Sequence, residues 1–313
     1  MTVHVFHAPP PAPMGLALEG FEAQFRYPLG KATSFSISHG RDYITFFAAI
    51  GDATLVVAEH QGHILGTLAA ATRPLQLPDG STRRTAYLGD LKIAPTSRNS
   101  VALGRILETM HTQLANAGIR SAYGVVMDGT GRIPPNYTGR LSIPEFTQIA
   151  QLSILQITTA HQPAESPTEL PFIDWMHLHK SLPQRGVSST GGTPALRSKM
   201  PPAHLGTHRA CGYLEDTRLA KRLLISPGKE LHAAHLSQLA FEEIPDAALL
   251  LRQAINRCAA LGIPTLFTAT PPSIAPALIN ALSGIQVQIA QATIFGCGFG
   301  DISADWWLDT SEI

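Results

Sequence analysis

The stretch Tyr87-Leu-Gly-Asp-Leu-Lys-Ile-Ala-Pro-Thr-Ser-Arg-Asn-Ser-Val-Ala-Leu-Gly-Arg-Ile-Leu107 carries most of the information on the fold. It starts inside a predicted β-strand, Arg84–Ile93, which Pro95 closes because proline cannot donate a hydrogen bond to a neighbouring strand. A short polar loop follows, and small residues then open a predicted amphipathic helix, Ala102–Asn116. The start of such a helix presents free N–H groups and a positive dipole end, where a phosphate or pyrophosphate can bind.

The flanking residues predict a mixed α/β sheet. The strands Ala53–His60 and His63–Ala71 form a hairpin around Gln61-Gly62. A short helix is predicted over Asp42–Ile50, and the apolar run Ile119–Met127 predicts a strand inside the sheet. The order of elements is therefore helix, hairpin, strand, loop, helix and strand.

Composition excludes several classes of protein. The 313 residues suggest two domains, and 23 basic against 23 acidic residues give no net charge. This balance argues against duplex nucleic acid or an anionic membrane surface as partner. With 44% hydrophobic and 15% charged residues, the chain is globular and not disordered.

The expected location is the cytoplasm. The N-terminus lacks the basic and apolar regions of a signal peptide, and no run of about 20 apolar residues predicts a membrane span. Three scattered cysteines, Cys211, Cys258 and Cys297, fit a reducing compartment better than a disulfide framework.

The sequence divides into three parts, predicted as a domain over 1–160, a Pro-rich linker or surface excursion over 161–210, and a second domain over 211–313. Trp175 and Phe172 could fix part of the middle segment. In the last part, a helix (Asp246–Ala260), Gly-Ile and a strand (Ile263–Ala269) repeat the order of the first, which predicts an internal duplication.

The order of elements resembles the GNAT-type N-acetyltransferase superfamily, whose loop after the bulged strand cradles the pyrophosphate of acetyl-CoA. That loop pattern, Gln/Arg-x-x-Gly-x-Gly/Ala, can be aligned in two registers. One places the pattern on Asn99 to Gly104, and the other, counted forward from Pro95, places its arginine at Arg98. The sequence leaves both registers open. The resemblance implies two tandem acyl-CoA N-acyltransferase domains. It also implies that Leu91, Ile93 and Ala94 bind the pantetheine through their main chain. The implied pyrophosphate-binding residues are Arg98, Asn99, Ser100, Val101, Ala102, Leu103, Gly104 and Arg105.

Two residues are candidates for catalysis by the same resemblance. Asp90 is the candidate base, and partial burial is expected to raise its pKa toward useful values. The alternative is an ion pair of Asp90 with Lys92 or Arg84. Tyr137 is the candidate acid, with Tyr123 as the alternative.

No metal site is expected. His177-x-His179 and His232-x-x-His235 are pairs, but no Cys or acidic cluster completes a ligand set at a recognisable spacing.

The predicted function is transfer of an acyl group, most simply acetyl, from acyl-CoA to an amine. A long-chain or carrier-bound donor and a non-catalytic, acyl-CoA-binding protein are the alternatives. The expected partners are a small-molecule or peptide amine acceptor and, as one possible assembly, a homodimer. The second domain is expected not to bind coenzyme A, because Glu242-Glu243 would repel phosphate there.

Overall fold

The computed structural model of the chain describes residues 1–29, 33–97, 101–129, 133–140, 142–160, 168–183, 186–189, 191–225, 229–300 and 302–313. Within these ranges the α-helices are α1 (Ala12–Glu22), α2 (Thr45–Ala48), α3 (Ala102–Asn116), α4 (Phe172–Ser181), α5 (Ile244–Ala260) and α6 (Ala275–Ala281). The strands are β1 (Thr2–Phe6), β2 (Tyr27–Leu29), β3 (Thr33–Ser38), β4 (Asp52–His60), β5 (His63–Gln76), β6 (Thr82–Ile93), β7 (Ala122–Met127), β8 (Thr147–Thr158), β9 (Thr168–Glu169), β10 (Val187–Ser189), β11 (Ala203–Gly206), β12 (Ala210–Glu215), β13 (Arg222–Ile225), β14 (Lys229–Glu230), β15 (Ala233–Phe241), β16 (Thr265–Thr270), β17 (Val287–Cys297) and β18 (Trp306–Trp307).

The described strands form two sheets. The large sheet has fourteen strands, in the order β1-β4-β5-β6-β7-β17-β8-β16-β15-β12-β11-β9, with β10 paired to β5 and β18 paired to β10. The small sheet has the order β14-β13-β3-β2, so it joins one hairpin from each half of the chain. The predicted mixed α/β fold is confirmed.

The large sheet contains the same unit twice. In the first half β4, β5 and β6 are antiparallel neighbours, α3 follows, and β7 lies parallel to β6. In the second half β11, β12 and β15 are antiparallel neighbours, α5 follows, and β16 lies parallel to β15. This repeat confirms the tandem arrangement that the sequence predicts.

The two halves exchange a strand. β8 follows the first unit in the chain but pairs with β16 of the second, while β17 follows the second unit but pairs with β7 of the first. β8 and β17 also pair with each other over Thr147–Ile157 and Val287–Gly296. Both halves therefore share one continuous sheet. The division at residues 160 and 210 stays a prediction.

The alternation of side chains along β4 separates two cores. Leu55 and Val57 pack with α1 and α2, whereas Val56 and Ala58 pack with α3 on the other face, as the two-residue period of a strand requires. On α3 the predicted apolar stripe is buried, with Ile106 and Met110 at its centre. Burial of each such side chain contributes roughly 1.5–3 kcal/mol.

The middle segment is more structured than its proline content suggests. Its described part carries α4, β10 and β11, which a linker or surface excursion does not require. The cause is Trp175, which is buried and donates its indole N–H to the carbonyl of Gly212 over 3.1 Å. Phe172 stacks on Trp175 but is 57% exposed.

Buried ion pairs connect the C-terminal residues to both halves. Arg73 of β5 pairs with Glu312, and Arg197 reaches the same carboxylate over 3.4 Å. Arg197 also binds Glu215 through two hydrogen bonds of 2.8 Å. In the same segment Trp306 and Trp307 form β18 beside β10. Among the described helices, none is long and apolar enough to cross a membrane.

Candidate functional site

The strands β6 and β7 open into a cleft. They pair as parallel neighbours only at Ala86–Ala122 and Tyr87–Tyr123, although β6 continues to Ile93 and β7 to Met127. Aromatic rings fill the closed end of the cleft, where the ring centroids of Tyr87 and Tyr123 lie 5.4 Å apart. Beyond these pairs the strands diverge, although the carbonyl of Leu88 still lies close to Gly124.

The N-terminus of α3 follows directly from this cleft. The helix begins at the buried Ala102, after Val101, which is 70% exposed. Among the described residues no side chain caps α3 at Val101, and the first turn carries no acidic residue. The helix dipole therefore favours an anion at this end, as the sequence predicts.

The predicted pyrophosphate-binding residues are only partly described. Leu103 and Gly104 are half-buried in the first turn, and Arg105 is exposed and pairs with Glu108 over 3.3 Å. Arg98, Asn99 and Ser100 lie outside the described residues.

The main chain of the predicted pantetheine-binding residues is not equally free. The N–H of Ala94 donates to the carbonyl of Leu65 over 2.8 Å, and its carbonyl accepts from the N–H of Ser97 over 2.8 Å. Ile93 pairs with Gly66 of β5. Leu91 lies at the bulge, where the register between β5 and β6 shifts.

Asp90 forms this bulge. Its φ of 56° lies in the left-handed region, which a non-glycine residue adopts only when its surroundings enforce it. The hydroxyl of Thr67 donates to the carbonyl of Asp90 over 3.0 Å and holds the distorted strand in place. The side chain of Asp90 contacts His39 and Tyr43, which lie in the chain between β3 and α2.

These contacts form a buried network, here named the Asp90 cluster, of Glu22, His39, Tyr43, Asp90 and Lys92. Asp90 accepts a hydrogen bond of 2.9 Å from the Tyr43 hydroxyl and lies 3.1 Å from Lys92 Nζ. Glu22 lies 2.6 Å from the same ammonium and 2.8 Å from His39 Nδ1. His39 Nδ1 is also 3.3 Å from Asp90.

The electrostatics of the cluster correct one expectation. Burial by itself raises the pKa of Asp90, as the sequence analysis expects, but the charges of Lys92 and His39 lower it to about 2. Burial likewise opposes ionisation of Glu22, and His39 and Lys92 lower the pKa of that carboxyl. Asp90 is thus a stabilised carboxylate and a weak base. The alternative partner Lys92 is confirmed, while Arg84 pairs with Asp52 over 2.8 Å.

The cluster could offer three ligand atoms to a cation. Oxygens of Glu22 and Asp90 and a ring nitrogen of His39 lie within 4.8 Å of one another. The Lys92 ammonium lies between the two carboxylates and compensates one of their two charges, so the geometry is that of an ion-pair network. The predicted histidine pairs are separate from it: His235 is buried against the Thr310 hydroxyl at 2.9 Å, and His179 stacks on Trp175.

The two tyrosines lie apart from the cluster's polar contacts. Tyr137 follows the 3-10 turn Pro134–Asn136 and packs with the core around α3, on the face of the sheet opposite α1 and α2. Tyr123 is enclosed between the rings of Tyr87 and Trp306. Burial raises the pKa of both phenols.

Sequence reasoning missed Glu22, His39 and Tyr43. They lie 47 to 68 residues before Asp90, in or near a region with weak periodicity, and only the fold brings them to β6. The one residue in the sequence that pointed to a charged cluster around Asp90 was Lys92, two residues later on the same strand.

The second unit contains a similar cleft, and the chain itself narrows it to a cavity of about 50 Å³ between β15 and β16. β15 and β16 pair only from Ala233–Thr265 to His235–Phe267 and then diverge. Asp309 lies in this opening and accepts a hydrogen bond of 2.7 Å from the main-chain N–H of Gln238. At the start of α5, Glu243 and Asp246 form a capping box, so this helix N-terminus is satisfied internally. The helix starts at Ile244, two residues before the predicted start.

The fold is similar to those of known acyltransferases. In Saccharomyces cerevisiae N-myristoyltransferase with bound myristoyl-CoA, 82% of that chain superposes on 94% of this one, with a TM-score of 0.65 and 7% identity. A second structure of that enzyme, with myristoyl-CoA and inhibitors, gives a TM-score of 0.64 and 9% identity over 94% of this chain and 80% of that one. A GCN5-related N-acetyltransferase from Anabaena variabilis gives a TM-score of 0.54 and 11% identity, over 94% of this chain and 72% of that one.

These likenesses show a GNAT-like acyltransferase fold, as the sequence analysis predicts, and at such low identity they show the fold alone. No protein-family model matches the sequence, and no curated protein sequence matches it.

Proposed function

We propose that this protein is an acyltransferase that moves an acyl group from acyl-CoA to an amine by direct transfer. The observation that carries the proposal is the divergence of β6 and β7 after Tyr87 and Tyr123, next to the N-terminus of α3, whose first turn carries no acidic residue. An extended pantetheine arm fits the diverging strand edges, and the helix N-terminus suits its pyrophosphate. The neighbours with bound myristoyl-CoA support the same assignment.

In this proposal the first unit alone binds coenzyme A. Val101, Ala102, Leu103, Gly104 and Arg105 lie at the pyrophosphate end, and the main chain of Leu91 lies at the thioester end. Asp309 lies in the second cleft, and α5 is capped by Glu243 and Asp246. That half supports the sheet and the C-terminal segment.

The acceptor is an amine on a small molecule or a peptide. A bulged strand holds the thioester carbonyl near main-chain N–H groups, and positioning with such polarisation supplies much of the rate in acyl transfer. The three cysteines are free, which supports a cytoplasmic location.

Calorimetric titration with acetyl-CoA and with myristoyl-CoA tests the proposal. We expect saturable binding of at least one donor, and the tighter one identifies the acyl length. No heat with either donor at millimolar concentration would contradict the proposal. Binding without any CoA release in the presence of amines would instead favour a non-catalytic acyl-CoA-binding protein.

A further inference from the structure

The cleft of the second unit holds a cavity that its own chain does not fill. The cavity has a volume of about 50 Å³ and lies between β15 and β16, with the residues from Trp307 to Asp309 in its wall. A water molecule needs about 10–15 Å³ by the same measure, so the cavity has room for a group of roughly three or four heavy atoms. It opens to the surface, and the exposed Pro183 and the half-buried Gln238 belong to its wall.

Asp309 brings an unpaired oxygen to this cavity. The residue is 8% exposed, and its Oδ1 accepts the main-chain N–H of Gln238 over 2.7 Å. Its Oδ2 has no hydrogen-bond partner among the described residues. A buried carboxylate oxygen without a partner costs free energy, so this oxygen calls for a donor that enters the cavity.

The charges near Asp309 leave it without a counter-ion. Arg197 binds Glu215 through two hydrogen bonds of 2.8 Å, and Arg73 pairs with Glu312. These two basic and two acidic residues compensate one another. Asp309 itself forms no ion pair within the part of the chain that the structure describes. The ionised Asp309 therefore gives the cavity a negative potential that a cation would neutralise.

The rest of the wall suits an organic cation better than a metal ion. The rings of Phe241 and Trp307 lie in the wall with their centroids 6.0 Å apart, and aromatic faces attract cations. Leu236 and Leu308 add apolar surface for the carbon atoms of a ligand. Metal ions such as Ca²⁺ need several oxygen ligands, and among the described residues no group of three His, Cys, Asp or Glu ligand atoms lies at this cavity.

We infer that this cavity binds a small primary ammonium compound, with Asp309 Oδ2 accepting one of its N–H groups and with Phe241 and Trp307 beside its alkyl part. A primary ammonium carries three N–H donors and fits a cavity of this size through its first few atoms. The site lies in the second unit, apart from the cleft between β6 and β7. It does not rest on the proposed function.

Calorimetric titration of the full chain with n-propylammonium chloride, at pH 8 and without acyl-CoA, tests the site. We expect saturable binding at one site per chain. We expect no binding of 1-propanol, which has as many heavy atoms but no charge. The absence of saturation with n-propylammonium up to about 100 mM, ample for so small a ligand, would show that the cavity holds only water and would overturn the inference. Equal binding of 1-propanol would also overturn it.

Asp309→Asn tests which residue recognises the ammonium, because it keeps an acceptor for the Gln238 N–H and removes the charge. We expect this variant to bind n-propylammonium at least tenfold more weakly, while a cooperative melting transition shows that it is folded. Asp305→Asn, at an exposed site on the same segment, should bind like the wild type. Equal affinity of Asp309→Asn and wild type would place the ligand elsewhere and contradict the proposed site.

The pH dependence of binding tests the site in the unmodified protein. Burial, with the charges of Glu312 and Glu215, raises the pKa of Asp309 to about 7, although Arg197 opposes this shift. His179, which also lines the cavity, has its pKa lowered by burial and adds no competing cation near neutral pH. Because the ammonium pairs with the ionised carboxylate, its affinity should rise about tenfold from pH 6 to pH 8. An affinity that stays constant over this range would overturn the inference.

Discussion

Asp90 in β6 and Gln238 in β15 occupy the same position in the two halves of the molecule. Each is a non-glycine residue with a left-handed φ, 56° and 51°, and each lies at a bulge in the strand before a long helix. In the first half the cleft beside the bulge opens toward α3. In the second half the main-chain N–H of Gln238 already binds Asp309. The duplication thus retains the bulge in both halves, and in the second half Asp309 binds beside it.

Substitution of Val101 should affect stability and binding in opposite directions. Val101→Asp places a carboxylate at the N-cap of α3, which should stabilise the protein by about 0.5–1 kcal/mol. The same charge repels a pyrophosphate, so acyl-CoA binding should weaken by roughly five- to tenfold. Urea denaturation and calorimetry measure the two effects.

Val101→Asn is the matched control, because it caps the helix without adding charge. We expect similar stabilisation and a much smaller change in affinity. If Val101→Asp and Val101→Asn weaken acyl-CoA binding equally, the phosphate groups bind away from α3.

Removal of Lys92 should destabilise the fold strongly. Lys92→Met leaves the carboxylates of Glu22 and Asp90 buried without their counter-charge, and breaking a buried ion pair in this way costs about 3–5 kcal/mol. The free energy of unfolding from urea titration at pH 7 measures the loss. Arg105→Met, which removes an exposed ion pair with Glu108, should change it by about 0.5 kcal/mol or less. A loss below about 1 kcal/mol for Lys92→Met would show that the cluster contributes little to stability.

Asp309 should make the protein less stable as the pH rises. Burial, with the charges of Glu312 and Glu215, raises its pKa from 3.8 to about 7 despite the hydrogen bond from Gln238. Because the folded state holds this proton more tightly than the unfolded state, the contribution of Asp309 falls between about pH 4 and pH 7.

Asp309→Asn keeps an acceptor for the Gln238 N–H and removes the ionisation. The variant should be more stable than the wild type at pH 8, by up to a few kcal/mol, and the difference should shrink toward pH 4. Asp305→Asn, at an exposed site on the same segment, should follow the wild-type curve. A constant difference between Asp309→Asn and wild type across this range would contradict the assignment.

The sequence supported accurate prediction where periodicity was strong. The structure has α3 at Ala102–Asn116, as its apolar stripe predicts, and the hairpin before it differs from prediction by only a few residues at its ends. β8 was missed because its sequence does not alternate clearly, since four consecutive residues from Leu152 to Leu155 are buried. α1 was missed because Gly15, Gly20 and Pro13 lower its helix propensity.

The candidate site was predictable only along β6. Asp90 could be chosen from its place on the strand, but the direction of its pKa shift depends on Lys92 and on His39, which directly follows β3 and contacts Asp90 only in the folded chain. The exchange of β8 and β17 is a long-range pairing between segments more than 100 residues apart, which local periodicity does not encode.

A crystal structure of the protein with its tighter-binding acyl-CoA tests the central claim most directly. We predict that the pantetheine arm lies between Gly89–Ile93 of β6 and Val125–Met127 of β7, with the pyrophosphate at the N-terminus of α3. Density for the ligand between β15 and β16, or on any surface away from α3, would contradict the account.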